Sequence, residues 1–268
     1  MKSILLHIYD DVALASRLGA ACDVAREFGA HLTCLHATPI EDYLSTDPLV
    51  ALELPEDFST KMTRRREALQ ARVEARLRAE NIAWDWLHSN ELMSTALIRA
   101  SALSDLVVVS LADRAVMRDD PRPLAATVAT GARNAVLGLP QGRARFGFDA
   151  PALIAWNGSP EAAAAMRASL PFLRRMPHVH LLEVEEKPQA YPRDRAARYL
   201  SRHDVHAEIL CRPGHGNVTE TIRSTARELE AGLIVMGAYG HSRLREALLG
   251  GVTRDLVADS EIPLLLAH

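Results

Sequence analysis

The feature of this sequence that most constrains its fold is a repeat, because the second half of the chain follows the first. The segment LVVVSLAD, residues 106–113, aligns with LIVMGAYG, residues 233–240, at an offset of 127. The same offset places Ala135 on Ile262 without a gap. Internal similarity at a fixed offset indicates that one arrangement of strands and helices is built twice. The sequence therefore predicts two similar units in tandem.

Each half alternates strand-like apolar runs with segments of helical periodicity. The strand-like runs are SILLHIYDD, HLTCLHA, IAWDWLH, DLVVVS and AVLGLP in the first half, and ALIAWN, VHLLEV, HAEILC, LIVMG and IPLLLA in the second. This alternation predicts parallel sheets with right-handed crossovers and helices on both faces. We therefore expect an α/β fold of two tandem doubly wound, five-stranded parallel-sheet domains, residues 1–140 and 150–268. The domains should pack as an intrachain pseudo-dimer, joined by a linker over residues 141–149.

Composition narrows the functional classes. The formal net charge is only −3, whereas a dedicated nucleic-acid binder carries a strong basic excess. No apolar run is long enough to span a bilayer, and the start MKSILLHIYDD has no signal-peptide cleavage site. Cys22, Cys34 and Cys211 are few, odd in number and scattered, which is typical of reduced thiols. We expect a cytoplasmic protein that binds neither nucleic acid nor membranes.

The glycines between residues 232 and 257 indicate a ligand site. In open α/β sheets a ligand binds beyond the carboxyl ends of the strands, where the strand order reverses. Here that crevice would lie between the loop at Asn157 and the loop that begins at Gly237. Gly237 and Gly240 would allow positive φ angles and a close approach of backbone to ligand. The pair Gly250 and Gly251 precedes a predicted helix, whose free N–H groups attract phosphate.

The same segment resembles the signature of the universal stress protein family. That signature is two glycines three apart, nine residues, a third glycine, and then serine or threonine. Gly237, Gly240 and Gly250 match it, with nine residues between the last two. The resemblance implies an adenine nucleotide alpha hydrolase-like fold and a stress-response protein that binds ATP, with Mg²⁺ accompanying it. The residues that the resemblance and the crevice together assign to the nucleotide are Asn157, Gly158, Val184, Gly237, Gly240, His241, Ser242, Gly250, Gly251, Val252 and Thr253.

Two positions depart from the family pattern. Gly251 stands where a hydroxyl residue is expected, and Asn157 stands where the first strand usually ends in aspartate. The N–H of Gly251, or the hydroxyl of Ser242 or Thr253, is expected to substitute for the missing hydroxyl. The resemblance also places Val184 beside the adenine.

The first half lacks the features of a nucleotide site. At the offset of 127, Ser110, Asp113 and Pro123 occupy the positions of the three signature glycines. A carboxylate repels phosphate, and proline has no N–H to offer. We therefore expect a single, C-terminal site.

Binding is the favoured function over catalysis. His241 is the nearest candidate base, and it is interpreted more simply as a loop residue, so we expect a weak ATPase at most. Two alternatives stay open: a slow nucleotide hydrolase that uses the same site, and a nucleotide-independent protein-interaction module. The expected partners are an adenine nucleotide, unidentified proteins and a second copy of the chain in a homodimer.

Three other groups of residues are interpreted structurally. His203, His206, Cys211 and His215 have zinc-ligand chemistry, but strand alternation would put His206 and Cys211 on opposite faces, which favours solvated histidines and a core cysteine. The arginine-rich helix after Ser59 also carries glutamates, as solvated faces do. Its arginines are Arg64, Arg65, Arg66, Arg72, Arg76 and Arg78. Ser159, followed by proline, is predicted to be a helix N-cap instead of a nucleophile.

Overall fold

A computed structural model describes residues 1–37, 58–111, 123–142, 145–185, 191–213, 217–238 and 251–268. The strands are β1 Ser3–Ile8, β2 His31–Ala37, β3 Trp84–Ser89, β4 Leu106–Ser110, β5 Ala135–Leu139, β6 Ala152–Trp156, β7 Val179–Glu185, β8 Ala207–Pro213, β9 Leu233–Gly237 and β10 Leu264–Ala267. The α-helices of these residues are α1 Leu14–Phe28, α2 Phe58–Ala79, α3 Met93–Ala100, α4 Leu124–Gly131, α5 Pro160–Leu173, α6 Arg193–Ser201, α7 Val218–Glu228 and α8 Val252–Asp259. A short 3₁₀ helix, Ser101–Leu103, follows α3. None of the described helices is both long and apolar enough to cross a bilayer.

The ten strands form one sheet, in the order β3-β2-β1-β4-β5-β10-β9-β6-β7-β8. Within each half every pairing is parallel, and the first strand lies between the second and the fourth. The strand order therefore reverses between β1 and β4, and again between β6 and β9, as predicted. The doubly wound, five-stranded fold class is confirmed. The two units share one sheet because β5 and β10 pair antiparallel at its centre.

The pairing of β5 with β10 relates the two halves by an approximate twofold axis. Leu137 faces Leu265, Gly138 faces Leu264, and Val136 faces Leu266. Rotation about the central pair exchanges Val136 with Leu264, so these residues are structural equivalents. The edge strand of each unit is thereby covered by the other, which removes two exposed strand edges.

This register corrects the alignment of the two halves. Val136 and its equivalent Leu264 differ by 264 − 136 = 128, whereas Leu106 and Leu233, at the starts of β4 and β9, differ by 127. The prediction that Ala135 aligns with Ile262 without a gap is therefore wrong. The second half has one more residue than the first between its fourth strand and the following helix.

The hydrophobic core lies on both faces of the sheet. The helices that cover it have the end signals and apolar faces that the sequence predicts. Helix α1 ends at Gly29, whose φ of 54° is left-handed. In α2, Leu69, Val73 and Leu77 are buried on one face, as predicted. The arginines on the other face are solvated and several form ion pairs. These pairs are Arg72 with Asp10, Arg76 with Glu80, and Arg78 with Glu74.

The linker between the halves packs against the first helix of each half, α1 and α5. Phe146 is buried, and its ring lies 5.7 Å from the ring of Phe172 in α5. The carboxylate of Asp23 in α1 accepts a hydrogen bond from the Phe146 N–H at 3.1 Å and another from the Arg145 guanidinium at 3.1 Å. Phe28 completes the cluster, with its ring 5.5 Å from that of Phe172. The linker thus belongs to the core that unites the two units.

Candidate functional site

The predicted crevice lies at the carboxyl ends of β6 and β9, which are neighbours in the sheet. After β6 the chain turns at Gly158, whose φ of 67° is left-handed. The side chain of Asn157 accepts a hydrogen bond from the Ser159 N–H at 3.1 Å, which closes this turn. Ser159 caps helix α5 by accepting from the Ala162 N–H at 3.1 Å. The N-cap prediction for Ser159 is therefore confirmed.

A packing contact requires glycine at position 237, whereas the positive φ that was predicted there is wrong. Its φ is not positive. A Cβ atom there would lie 2.6 Å from the Ala162 nitrogen and 2.7 Å from the Glu161 carbonyl carbon, closer than real Cβ atoms come to backbone. The absence of a side chain lets the end of β9 contact the first turn of α5. Glu161, which the sequence interpretation missed, is only 5% exposed at this contact.

The amino end of α8 faces the end of β9. Gly251 is the N-cap, and as a glycine it has no side chain that could accept a cap hydrogen bond. Thr253, in the first turn, is buried, and its hydroxyl donates to the Gly237 carbonyl at 3.4 Å. A helix N-terminus carries a partial positive charge and N–H groups without partners inside the helix, so it suits an anion.

The described site residues thus fall into three groups. The structure brings Gly237 and Thr253 into contact, with Gly251 and Val252 beside Thr253 at the start of α8. Asn157 and Gly158 lie at the neighbouring strand end. Val184 lies in β7, which pairs with β6. The remaining predicted residues, Gly240, His241, Ser242 and Gly250, lie outside the described residues.

A pair of aromatic residues at the end of β6 was also missed. The indole N–H of Trp156 donates to the Tyr191 carbonyl at 3.1 Å, and the Tyr191 N–H donates to the Gly158 carbonyl at 3.3 Å. Tyr191 thereby attaches the start of the α6 region to the Asn157 loop. Trp156 and Gly158 precede Tyr191 by 35 and 33 residues, so no local sequence signal could have shown these contacts.

In the first half, the corresponding crevice is filled by an arginine. The Arg17 side chain is fully buried. Its guanidinium donates to the His7 carbonyl at 2.7 Å, to the Tyr9 carbonyl at 3.2 Å and to the Asp11 carboxylate at 3.2 Å. It also donates to the hydroxyl of Ser110, which ends β4, the strand that corresponds to β9. The strand ends that would border a ligand in this half therefore form hydrogen bonds with the guanidinium of Arg17.

Helix α4, which corresponds to α8, begins differently. Its N-cap is Pro123, and Leu124 is its first residue. Because α4 and α8 begin 128 residues apart, Pro123 corresponds to Gly251, and the predicted match of Pro123 to Gly250 is wrong. Proline still removes an N–H at the N-cap. Asp113 lies outside the described residues.

The described members of the histidine and cysteine group lie at or near the surface, and the prediction for the cysteine is wrong. His206 is exposed, and the ring of His203 lies 4.5 Å from that of Tyr199. Cys211 is exposed, so its assignment as a core cysteine is wrong. The physical reason is that β8 is the last strand of the sheet, where side chains are less covered. His215 lies outside the described residues, and among those described no three metal-ligating side chains come together.

The three thiols should differ in reactivity. Cys22 and Cys34 are buried, and burial raises the pKa of Cys22 to about 12 and that of Cys34 further still. Since the thiolate is the reactive form, we expect an aromatic disulfide reagent to modify only Cys211 in the folded chain at pH 8. Cys211→Ser should abolish this reaction, whereas in denaturant all three thiols should react. Rapid modification of the folded Cys211→Ser variant would contradict this burial.

Comparison with known proteins gives a family for the second half. The universal stress protein family model matches residues 151–268. No curated protein sequence matches the chain at a significant level.

Solved structures extend the likeness to the whole chain. The chain is similar to a universal stress protein from Archaeoglobus fulgidus DSM 4304, with 14% identity and a TM-score of 0.74 over 99% of this chain and 96% of that one. It is also similar to a functionally unknown protein from Pseudomonas aeruginosa PAO1, with 18% identity and a TM-score of 0.56 over 100% of this chain and 92% of that one. A universal stress protein in complex with cAMP is 19% identical, with a TM-score of 0.34, over 46% of this chain and 99% of that one. At these identities the first two structures establish the fold. The family match itself covers residues 151–268, so the second half is the part of this chain whose sequence matches the universal stress protein family.

Proposed function

We propose that this chain is a nucleotide-responsive universal stress protein that binds one adenine nucleotide. The nucleotide is ATP, accompanied by Mg²⁺ through its own phosphate oxygens. The binding unit is the domain of residues 150–268, and the domain of residues 1–140 is a degenerate copy. Hydrolysis is weak at most. The three free thiols support a location in the reducing cytoplasm.

The amino end of α8 supports the assignment of the phosphates. Its N-cap residue, Gly251, provides no side-chain cap, and Thr253 joins the helix to the end of β9 at the point where the strand order reverses. The signature glycines Gly240 and Gly250 lie in the segment between these two elements. A phosphate there would accept hydrogen bonds from backbone N–H groups and from the Gly251 N–H in particular.

The contrast between the two halves is the observation that carries the proposal. In the first half, Arg17 supplies donors to the strand ends, and Pro123 replaces the N-cap glycine. The pairings of β1 with β4 and of β6 with β9 make Ile4 equivalent to Ala152, an offset of 148 residues. At this offset Arg17 corresponds to Ala165 in α5, which has a small side chain. Neither α4 nor α8 has a side-chain cap from its N-cap residue, so the two crevices differ in the arginine that the first one holds and in the proline at its N-cap.

A thermal-shift titration tests this function. At about 100 times Kd, a ligand that binds only the folded state stabilises it by roughly 2.7 kcal/mol. For a domain of this size the melting temperature should rise by several degrees. ATP with Mg²⁺ should produce this rise, whereas inorganic phosphate at the same concentration should not. A melting temperature that ATP leaves unchanged up to millimolar concentration would contradict the proposal.

A further inference from the structure

Two neighbouring helices of the second half, α5 and α6, carry exposed arginines. Arg195, Arg198 and Arg202 recur with helical spacing, so they share one face of α6 and its C-cap. Arg167 in α5 and Arg174 at its C-cap lie seven residues apart, and they also share a face. All five side chains belong to exposed residues. The basic surface is defined here as Arg167, Arg174, Arg195, Arg198 and Arg202.

Few carboxylates lie on these two helices. The acidic residue of α5, Glu161, is buried, and that of α6 is Asp194. Within the part of the chain that the structure describes, no member of the basic surface forms an ion pair. Nε of Arg174 instead donates to the His203 carbonyl at 2.8 Å, which joins the end of α5 to the turn after α6. The basic surface therefore keeps an unbalanced positive charge.

The helix of the first half that corresponds to α6 is α2. Strand pairing counted outward from β1 and from β6 makes Trp84 in β3 equivalent to Ala207 in β8, an offset of 207 − 84 = 123. The preceding helices follow the same offset, since Leu77 and Leu200 are both fully buried. The arginines of the two helices can therefore be compared position by position.

The carboxylates that neutralise arginines in the first half are missing from the second. Glu80 pairs with Arg26 of α1, and the equivalent of Glu80 at the offset of 123 is His203. Arg26 itself is retained as Arg174, at the offset of 148 that relates α1 to α5. The arginine thus keeps its place while its anionic partner is lost. Three such replacements occur: Asp23 by Pro171, Glu74 by Ala197, and Glu80 by His203.

We propose that the basic surface docks an acidic segment of a partner protein, which supplies the carboxylates that the second half lacks. The planar guanidinium binds a carboxylate through two parallel hydrogen bonds. From Arg195 to Arg202 the face of α6 extends about 10 Å, which suits a short segment with several acidic side chains. The net charge of −3 disfavours a long polyanion such as nucleic acid. A short segment meets mainly the local charge, because salt screens charges beyond about 8 Å. Docking does not depend on nucleotide binding.

Fluorescence anisotropy with a labelled oligoglutamate peptide tests this proposal. The wild type should bind the peptide, and Kd should rise with ionic strength. The triple variant Arg195→Ala, Arg198→Ala, Arg202→Ala should raise Kd about tenfold, as expected for the loss of three exposed ion pairs. Its side chains are exposed, so the variant should melt at the temperature of the wild type. His203→Glu supplies Arg174 with a carboxylate, as Glu80 does for Arg26, and should also weaken binding.

The matched control removes three arginines from the equivalent helix. Arg72→Ala, Arg76→Ala, Arg78→Ala changes the net charge equally, but these arginines already pair with carboxylates of the chain. This variant should bind the peptide like the wild type. Equal weakening by the two triple variants would overturn the proposal, as would wild-type affinity in the α6 variant. Absence of peptide binding by the wild type at low salt would also overturn it. Tighter binding of an oligothymidylate of the same charge would assign the surface to nucleic acid instead.

Discussion

Replacement of Arg17 by alanine is expected to lower the free energy of unfolding by about 3 kcal/mol. The guanidinium is fully buried and donates to two carbonyls, a hydroxyl and the Asp11 carboxylate. Its removal takes one hydrogen-bond donor from each of these acceptors and removes the cation that pairs with Asp11. The side chain of Asp11 is 17% exposed, so water relieves part of the cost. A loss of this size is a large share of the 5–15 kcal/mol that is typical of folded proteins.

Urea denaturation of matched variants measures this effect. Arg26→Ala removes a half-exposed arginine from the same helix and should cost less than about 1 kcal/mol. Arg17→Lys keeps the charge but loses the fork of donors, so its stability should fall between those of the wild type and Arg17→Ala. Nucleotide affinity should not change in any of these variants, because the proposed site is in the other half. Equal stability of Arg17→Ala and Arg26→Ala would contradict the structural role of Arg17.

Gly251→Asp should abolish most nucleotide binding without destabilising the fold. The backbone of Gly251, with φ −75° and ψ 144°, is one that aspartate adopts readily at an N-cap. The new carboxylate would accept hydrogen bonds from N–H groups in the first turn of α8 and add a few tenths of a kcal/mol to the stability of the protein. Two unit charges 4 Å apart repel by about 4 kcal/mol near a protein surface. Even after screening by salt, Kd for ATP should rise at least tenfold.

Pro123→Asp is the matched control, since Pro123 is the N-cap of α4. It introduces the same charge at the equivalent helix of the first half and should leave ATP affinity unchanged. Gly251→Ser, which restores the hydroxyl of the family signature, should tighten binding. Melting temperatures of the unliganded variants show whether each is folded. Unchanged ATP affinity in a folded Gly251→Asp variant would place the phosphates elsewhere.

Local chemistry made most of the fold predictable. Ser159 followed by proline predicts an N-cap, and the structure has that cap, because the determinants lie within three residues. The alternation of strands and helices likewise predicts the doubly wound units. The antiparallel union of β5 with β10 did not follow, because apolar runs such as AVLGL do not specify their partners.

The site was less predictable, because its determinants are far apart in the chain. Gly237 was predicted from its loop to approach a ligand, and the structure shows a further requirement for glycine there, the backbone of Glu161 and Ala162 some 75 residues earlier. Arg17 was not noticed, since an arginine on a helix is normally solvated. Its burial depends on acceptors from β1 and β4 that only the folded sheet brings together.

The number of nucleotides bound per chain tests the central claim most directly. Calorimetric titration of the wild type with Mg²⁺-ATP should give one site per chain, and the same titration of Pro123→Asp should also give one. Gly251→Asp should give a Kd at least tenfold higher in the same titration. Two sites per chain, or one site that Pro123→Asp removes and Gly251→Asp keeps, would contradict the assignment of nucleotide binding to the second half.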